Sequence, residues 1–328
     1  MKVVITGGTG FIGLNLARAI LRRGALTGPS GKPEEVDSIL LFDQFVPDRL
    51  PDGLDGRVAM QAGDISDRDT VFGLVDRDDI SVFHLASVVS GGGEKDFDLA
   101  MRVNLDGGRH VFEAARARKG LPRVVFASSV AVFGGEAMPD VVSDATKQTP
   151  QTTYGMTKAI GEMMVNDYTR KGFFDGRTVR LPTIFIRPGK PNAAASSFCS
   201  GVFREPLAGQ ECILPVRADI EVALLGFRNA IAGILGLHEA DGAALGADRA
   251  LFLPSRTYSV AEMIAGMRRV AEANGIAPGP VTPRPDPAIE AIVASWPTRL
   301  AAPRAEALGL PNDESLDRVI QDYIDDFM

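Results

Sequence analysis

MKVVITGGTGFIGLN, residues 1–15, is the stretch from which the rest of the chain can be read. Residues 2–5, Lys-Val-Val-Ile, form a short β-branched run of the kind that makes a parallel strand buried on both faces. Glycines follow at 7, 8, 10 and 13, and Leu14, Leu16, Ala17, Ile20 and Leu21 then recur at helical spacing. Strand, glycine turn and helix together aim backbone N–H groups and a helix N-terminus at a bound pyrophosphate. In this reading Gly7 permits the tight turn and Gly10 removes a Cβ that would hold phosphate away. Gly13 lets helix and strand pack closely, and Phe11 and Ile12 open the helix beside the ligand. A glycine-rich surface turn would not need glycine at all three offsets.

The 328 residues, 45% hydrophobic, can bury a large core as one big domain or two. A net charge of −7 argues against nucleic-acid or anionic-membrane partners. Cys199 and Cys212 fit no metal-ligand spacing, so no metal is expected, and they read as reduced thiols of a cytoplasmic protein. The apolar run before the glycine loop is too short for a signal peptide. No stretch approaches the roughly 18 apolar residues of a membrane span.

Residues 25–38, ALTGPSGKPEEVDS, are rich in Gly and Pro and read as a loop. Residues 39–42 form a second strand closed by Asp43. An acidic residue there accepts hydrogen bonds from an adenosine ribose and repels a 2′-phosphate, which favours NAD. Asp43 stands 30 residues after Gly13, beyond the usual spacing of ~20, and the inserted loop accounts for the excess. A strand-terminal Asp is also a common turn former, but no Arg or Lys follows at once to receive a phosphate.

Further strands read at 58–61, 81–86, 124–127, 178–182 and 250–253. With helices between them they predict a doubly wound parallel α/β sheet of about seven strands. Asp64 and Ile65 follow the third strand, and Leu85 and Ala86 end the fourth. His84 within that strand reads as a satisfied core histidine. A glycine loop then lies at the carboxyl edge where open sheets bind ligands, and a long helix after it carries Asn104. The fifth strand delivers Ser128 and Ser129 to the same edge. Residues 221–238 read as helix, and 275–298 as irregular. Residues 259–274 read as a helix with a Ser259/Glu262 capping box, and 316–327 as the last helix. Residues 1–186, with 221–254 returning to them, are expected to form a Rossmann domain; 187–220 and 255–328 form a smaller substrate lobe.

Tyr154 and Lys158 are four apart at the start of a predicted helix and share one face. Oxidising an alcohol requires a proton acceptor as hydride leaves the carbon. A free tyrosine, pKa ~10, is rarely ionised at pH 7. A lysine one turn away and a positive nicotinamide ring both favour phenolate, so a depressed pKa is expected for Tyr154. Ser129 would hold the alcohol oxygen in line. A solvated Tyr/Lys pair is the plainer alternative.

Taken together, Thr6-Gly-Gly-Thr-Gly-Phe-Ile-Gly13, Asp43, Asp64-Ile65, His84-Leu-Ala-Ser87, Asn104, Ser128-Ser129, Val132-Phe-Gly134, Tyr154-x-x-x-Lys158 and Arg180-Leu-Pro182 resemble the extended short-chain dehydrogenase/reductase family. The resemblance covers almost the whole chain. It implies a Rossmann fold with NAD, Ser129 rather than Ser128 as the catalytic serine, and Lys158 binding the nicotinamide ribose. It also implies that Asn104 helps place Lys158 through water and that Pro182 borders the cofactor. A homodimer is implied through the Tyr154 helix and the one before it, with Ala159, Met163, Met164 and Val165 as candidate apolar surface.

Residues 149–211 resemble a branch of that family that oxidises a four-carbon sugar acid at C2. Arg187, Lys190, Arg204 and Arg217 lie in the lobe segment of an otherwise acidic chain, and a small anionic sugar-acid substrate needs such cations. Arg187 is the first candidate because it follows the strand end, and Lys190 the second. At least two of the four are expected to be solvated surface charges. Two rivals stand beside this reading. One is a sugar-nucleotide 4-epimerase with retained NAD, for which residues 193–197 offer no stacking platform. The other is a non-catalytic NAD(P) sensor, which would usually have lost the tyrosine or the lysine. Val130-Ala131 stand where a dehydratase would carry Asp-Glu.

Overall fold

In the computed structural model, which describes residues 1–191 and 194–328, the opening run becomes β1 (Lys2–Thr6) at the centre of a parallel sheet. Its side chains alternate between two cores. Val3 and Ile5 pack with Leu16 and Ile20 of α1 (Phe11–Arg23), whereas Val4 packs with Val82, Val111 and Phe112 on the opposite face. Period-two alternation with both faces apolar is what a sheet covered by helices on each side requires.

Beyond α1 the chain adds β2 (Ser38–Asp43) and β3 (Val58–Ala62) on one side of β1, then α2 (Arg68–Leu74). It crosses over to β4 (Ile80–His84), α3 (Gly107–Arg116), β5 (Arg123–Ser129), α4 (Thr153–Arg170) and β6 (Asp175–Leu181) on the other. Between β1 and β4 the winding reverses, and the carboxyl ends of these two strands open a crevice.

A second, three-stranded sheet carries the lobe. It joins β7 (Thr183–Phe185) parallel to β8 (Glu221–Gly226), and β8 antiparallel to β10 (Arg256–Ser259). Its core draws on Phe198, Val202 and Phe203 of α5 (Phe198–Leu207), Met263 and Met267 of α7 (Val260–Ala273), and Val319 and Ile320 of α8 (Leu316–Phe327). The main sheet is completed by β9 (Ala250–Phe252), which follows α6 (Phe227–Glu239) and pairs with β6. The observed order is β9-β6-β5-β4-β1-β2-β3, seven parallel strands as the sequence predicts. The capping box at Ser259 and Glu262 is present, and the last helix spans the expected residues.

Four local expectations are corrected. Residues 25–38 are not all loop: Ala25–Thr27 and Pro33–Glu35 pair as a small antiparallel hairpin, with Leu26 and Val36 buried beneath it. Residues 221–226 are strand rather than helix, because alternate residues Val222 and Leu224 pack into the lobe core. The return to the first core starts with Leu225 at the end of β8 and continues through α6. Within 275–298, Val281–Pro283 pairs with Cys212–Leu214, and Pro287–Ala294 is helical with Asp286 as its cap. The long helix expected around Asn104 is interrupted by a π-helical turn, Met101–Asp106, before α3. The C-terminal segment is also shared between cores, since Ala302, Ala305 and Leu310 pack with the first.

The start of α4 is set by a contact absent from the sequence reading. A Cβ on Gly155 would lie 2.0 Å from the carbonyl oxygen of Ala131, so the helix can press on the turn after β5 only with glycine there. Gly155→Ala should lower unfolding stability by about 1–3 kcal/mol through overpacking. Gly56, with nothing within 4 Å of its added Cβ, is the control. Denaturant midpoints of the two alanine variants check this, and equal midpoints would refute the close contact.

Candidate active site

The glycine turn is closed by its own backbone. Gly7 has φ +69°, and a Cβ on Gly13 would sit 2.5 Å from the Gly7 carbonyl oxygen and 2.6 Å from that of Gly8. Gly10 differs: the sole atom near its added Cβ is the Gly7 oxygen at 3.2 Å. Its outer side is open to a ligand. α1 begins at Gly10 without a side-chain cap and without an acidic residue in its first turn. Its leading N–H groups and the positive end of its dipole are therefore left for an anion. A dinucleotide pyrophosphate fits this cradle.

Two adjoining cavities open from the turn. One, of about 400 Å³, holds Asp43, Asp64, Ile65, Leu85 and Ala86 with Gly7 and Gly10. The Asp43 carboxylate accepts from the backbone N–H groups of Thr9 (3.2 Å) and Gln44 (2.8 Å), which ties the end of β2 to the glycine turn and leaves lone pairs for a diol. Asp64 turns its carboxylate onto Ser66, whose N–H and hydroxyl hold it below the usual carboxylate range. It borders the cavity mainly by position. Gln44, Val88, Leu99, Arg102 and Val103 complete these walls. None of the five was singled out from sequence, because loops, the one-turn helix Phe97–Ala100 and the π turn deliver them.

The second cavity, of about 350 Å³, gathers Gly7, Gly10, Phe11, Ile12, Gly13, Leu85, Ser129, Tyr154, Lys158, Pro182 and Arg187. Three segments distant in sequence, the end of β5, the start of α4 and the turn after β7, thus bring the predicted serine, tyrosine, lysine and arginine to one cleft. Lys158 is buried and donates to the Ala127 carbonyl at 2.7 Å, with its ammonium 5.5 Å from the centroid of the Tyr154 ring. Burial pushes the ammonium down to about 7, and the Glu162 carboxylate one turn on opposes the shift. Burial likewise pushes the Tyr154 phenol up, with a Ser129 hydrogen bond lowering it in part. The depressed phenol expected from sequence is therefore not met by the protein's groups alone. His84 is neutral and satisfied by Thr6 at 2.7 Å; burial, then the Lys158 charge, pushes it down to about 3.

Asn104 lies behind this cleft. Its amide clamps the Val88 backbone, accepting from N–H at 2.7 Å and donating to the carbonyl at 3.1 Å, and it also donates to the Thr157 hydroxyl at 3.2 Å. It reaches the neighbour of Lys158 rather than Lys158 itself. Of the four cations, Arg187 alone lines the cleft. Lys190 is exposed and contributes its carbonyl, not its ammonium, to the Arg187 guanidinium. Arg204 is buried and paired with Glu205, and Arg217 is an exposed partner of Asp219 and Glu290. Ser90, Thr183, Ile184, Ser196 and Trp296 also line the cleft and were not foreseen. Trp296 comes from more than 100 residues away, and no local pattern marks it. Among the described residues no cluster of His, Cys, Asp and Glu could hold a metal ion, and no helix is long and apolar enough to cross a membrane.

A pyrophosphate cradle joined to a serine, tyrosine and lysine at the carboxyl edge of a doubly wound sheet defines a dinucleotide-dependent oxidoreductase. Comparison with known proteins agrees. The chain belongs to the NAD dependent epimerase/dehydratase family, which it matches over residues 3–225. It is 48% identical over 326 residues to D-erythronate dehydrogenase of Cupriavidus necator, covering 99% of this chain and 98% of that one. To D-erythronate dehydrogenase of Haemophilus influenzae it is 37% identical over 325 residues, 99% of each. A solved structure described as the nucleoside-diphosphate-sugar epimerase from Agrobacterium tumefaciens superposes with TM-score 0.89 at 39% identity, covering 100% of this chain and 94% of that one. This chain is an NAD-dependent dehydrogenase.

Asp43→Ala should weaken NAD binding and raise the relative tolerance of NADP, since hydrogen-bond acceptors and phosphate repulsion are lost together. Calorimetric affinities for both cofactors check this; an unchanged ratio would remove Asp43 from the ribose site.

Proposed function

We propose that this enzyme oxidises the C2 hydroxyl of a small sugar acid, D-erythronate first among them, to the 2-keto acid with reduction of NAD. The observation that carries the reading is the single cleft shared by Ser129, Tyr154, Lys158 and Arg187. In that cleft a proton acceptor, an alcohol-orienting hydroxyl and a carboxylate-binding guanidinium sit together. The two relatives named D-erythronate dehydrogenase support the substrate.

Tyr154 is the general base, taking the alcohol proton as its phenolate. Ser129 donates to the alcohol oxygen and holds it in line. Lys158 stabilises the phenolate and holds the nicotinamide ribose, and Asn104, through Val88 and Thr157, keeps the wall behind them fixed. Bound NAD supplies the hydride acceptor and a positive charge that favours phenolate. Arg187 takes the substrate carboxylate with its fork of donors.

The epimerase reading has its own support. The Agrobacterium relative is described as an epimerase, and Trp296 gives the cleft an aromatic wall that the small side chains of Ala194 and Ser196 do not. The discriminating experiment is NADH production over a panel of aldonates, set beside interconversion of sugar nucleotides. Turnover of sugar nucleotides without net NADH would replace the dehydrogenase reading.

We place the enzyme in the cytoplasm, which suits two buried, unpaired cysteines, and infer a homodimer through α4. The apolar surface there is narrower than the sequence suggests. Ala159 and Val165 are buried in the molecule's own cores, while Met163 is 61% exposed and Met164 is half-buried. Sedimentation at micromolar concentration should show a dimer that Met163→Asp weakens; a monomer throughout would end this inference.

Tyr154→Phe should abolish kcat while NAD affinity stays nearly intact, because the lost proton acceptor matters only as the alcohol oxygen gains charge. Wild-type kcat should rise with pH and level off above the phenol's pKa, since the deprotonated form is active. Lys158→Met should move that rise to higher pH and weaken NAD binding. More than a few per cent residual activity in Tyr154→Phe would reassign the base.

A further inference from the structure

Arg187 is held from behind by a helix that does not reach the cleft. Its backbone N–H donates to the Ser200 hydroxyl at 3.0 Å, and its carbonyl accepts from the Arg204 guanidinium at 3.0 Å. Ser200 and Arg204 are four residues apart on α5, one above the other on a single helical face. They therefore grip the two peptide groups that flank the Arg187 Cα. Both are buried, at 6% and 7% exposure, and neither lines the cleft among its described walls. The helix itself is fixed, since Phe198, Cys199, Val202 and Phe203 pack with Phe185 and Ile186 in the lobe core.

A buried guanidinium is costly unless its charge and its donors are met. Arg204 meets these demands with the adjacent Glu205 carboxylate and the Arg187 carbonyl. The α-helical ladder needs neither this side chain nor the Ser200 hydroxyl. What both do is fix the Arg187 backbone. The Arg187 side chain is then braced from the front. Gly189, with φ +82°, lets the following turn curl back so that the carbonyls of Pro188 (3.4 Å) and Lys190 accept from the guanidinium. Two of its five N–H donors are used in this way, and among the described residues the remainder meet no acceptor and can face an acid. Burial, then repulsion from Arg204, lowers the Arg187 pKa, with Glu205 opposing, so a carboxylate that pairs with Arg187 also relieves the repulsion between the two guanidinium groups.

We propose that Ser200 and Arg204 are positioning residues that aim Arg187 at the substrate carboxylate, setting affinity for the sugar acid without touching it. This rests on the assignment of Arg187 as the carboxylate partner. It adds a built subsite in which α5, rather than the cleft wall, decides where the acid group must lie relative to Tyr154.

The test is steady-state kinetics with D-erythronate, alongside NAD affinity by calorimetry. Arg187→Ala should raise KM by about ten- to a hundredfold, the range for losing hydrogen bonds to a charged group. Ser200→Ala and Arg204→Met should each raise KM several-fold, with kcat within about twofold and NAD affinity unchanged. Ser200→Thr, which keeps the hydroxyl, should restore KM; it also serves if the Arg204 variant folds poorly. In an Arg187→Ala background neither change should raise KM further, because both act through that side chain. A raised KM in Arg187→Ala with an unchanged KM in Ser200→Ala overturns the positioning role alone. Full additivity in the double variants does the same. An unchanged KM in Arg187→Ala overturns the carboxylate assignment itself.

Discussion

The catalytic edge depends on one buried ion pair. Glu162 on α4 and Arg180 on β6 are 2% and 4% exposed, and they meet at 2.8 Å with two further contacts at 3.1 Å. The same carboxylate accepts from Ser128 at the end of β5 at 2.5 Å and from Gln148 in the preceding loop, while Arg180 also reaches the Asp144 carbonyl at 3.2 Å. Two strands, one helix and one loop are thus tied at the level where Ser129, Tyr154 and Lys158 project. Replacing such a pair with apolar groups can be neutral for stability, whereas removing one partner costs about 3–5 kcal/mol. Its distinctive contribution is register. With α4 pinned here and pressed on Ala131 at Gly155, the tyrosine has little freedom to drift from the serine.

Burial acts against both charged forms in this cleft. It lowers the Lys158 ammonium to about 7 and raises the Tyr154 phenol, so burial shifts both groups towards their neutral forms. Glu162 works against this for the lysine, and the Ser129 hydrogen bond works against it for the tyrosine. In the proposed role of Tyr154 as base, the phenolate would be reached through the sum of modest influences, of which a bound oxidised nicotinamide would be one.

Legibility in the sequence followed the range of the interactions involved. The glycine turn, β1, the Tyr154 and Lys158 face and the Ser259 capping box are local, within one or two turns of chain, and their residue types report them directly. The hairpin in 25–38 was hidden because Gly and Pro mark turns but do not say whether the flanks pair. Residues 221–226 read as helix because a short apolar run before a true helix carries no clear period of its own. Trp296, Ser196 and Thr183 reach the cleft only through the docking of the lobe. Ser295, for example, places its carbonyl 3.1 Å from where a Gly134 Cβ would be.

The cofactor half and the substrate half of the cleft thus differ in how they are built. The cradle offered to a dinucleotide is backbone: the N–H groups that follow Gly10 at the start of α1, and β2 anchored through Asp43 to Thr9 and Gln44. Backbone recognition needs particular glycines at particular offsets, and that leaves a pattern. The other half of the cleft is walled by side chains from β7, from Arg187 and from Trp296 in the segment before Arg299, which are carried into place by packing between two cores. Val142 accepts this segment in register, its N–H donating to the Arg299 carbonyl at 2.9 Å. A side chain delivered over such a distance can be exchanged without disturbing the cradle. In the proposed reading the cradle fixes which cofactor is read, while the docking of the lobe fixes where the acid and hydroxyl groups of a substrate must stand.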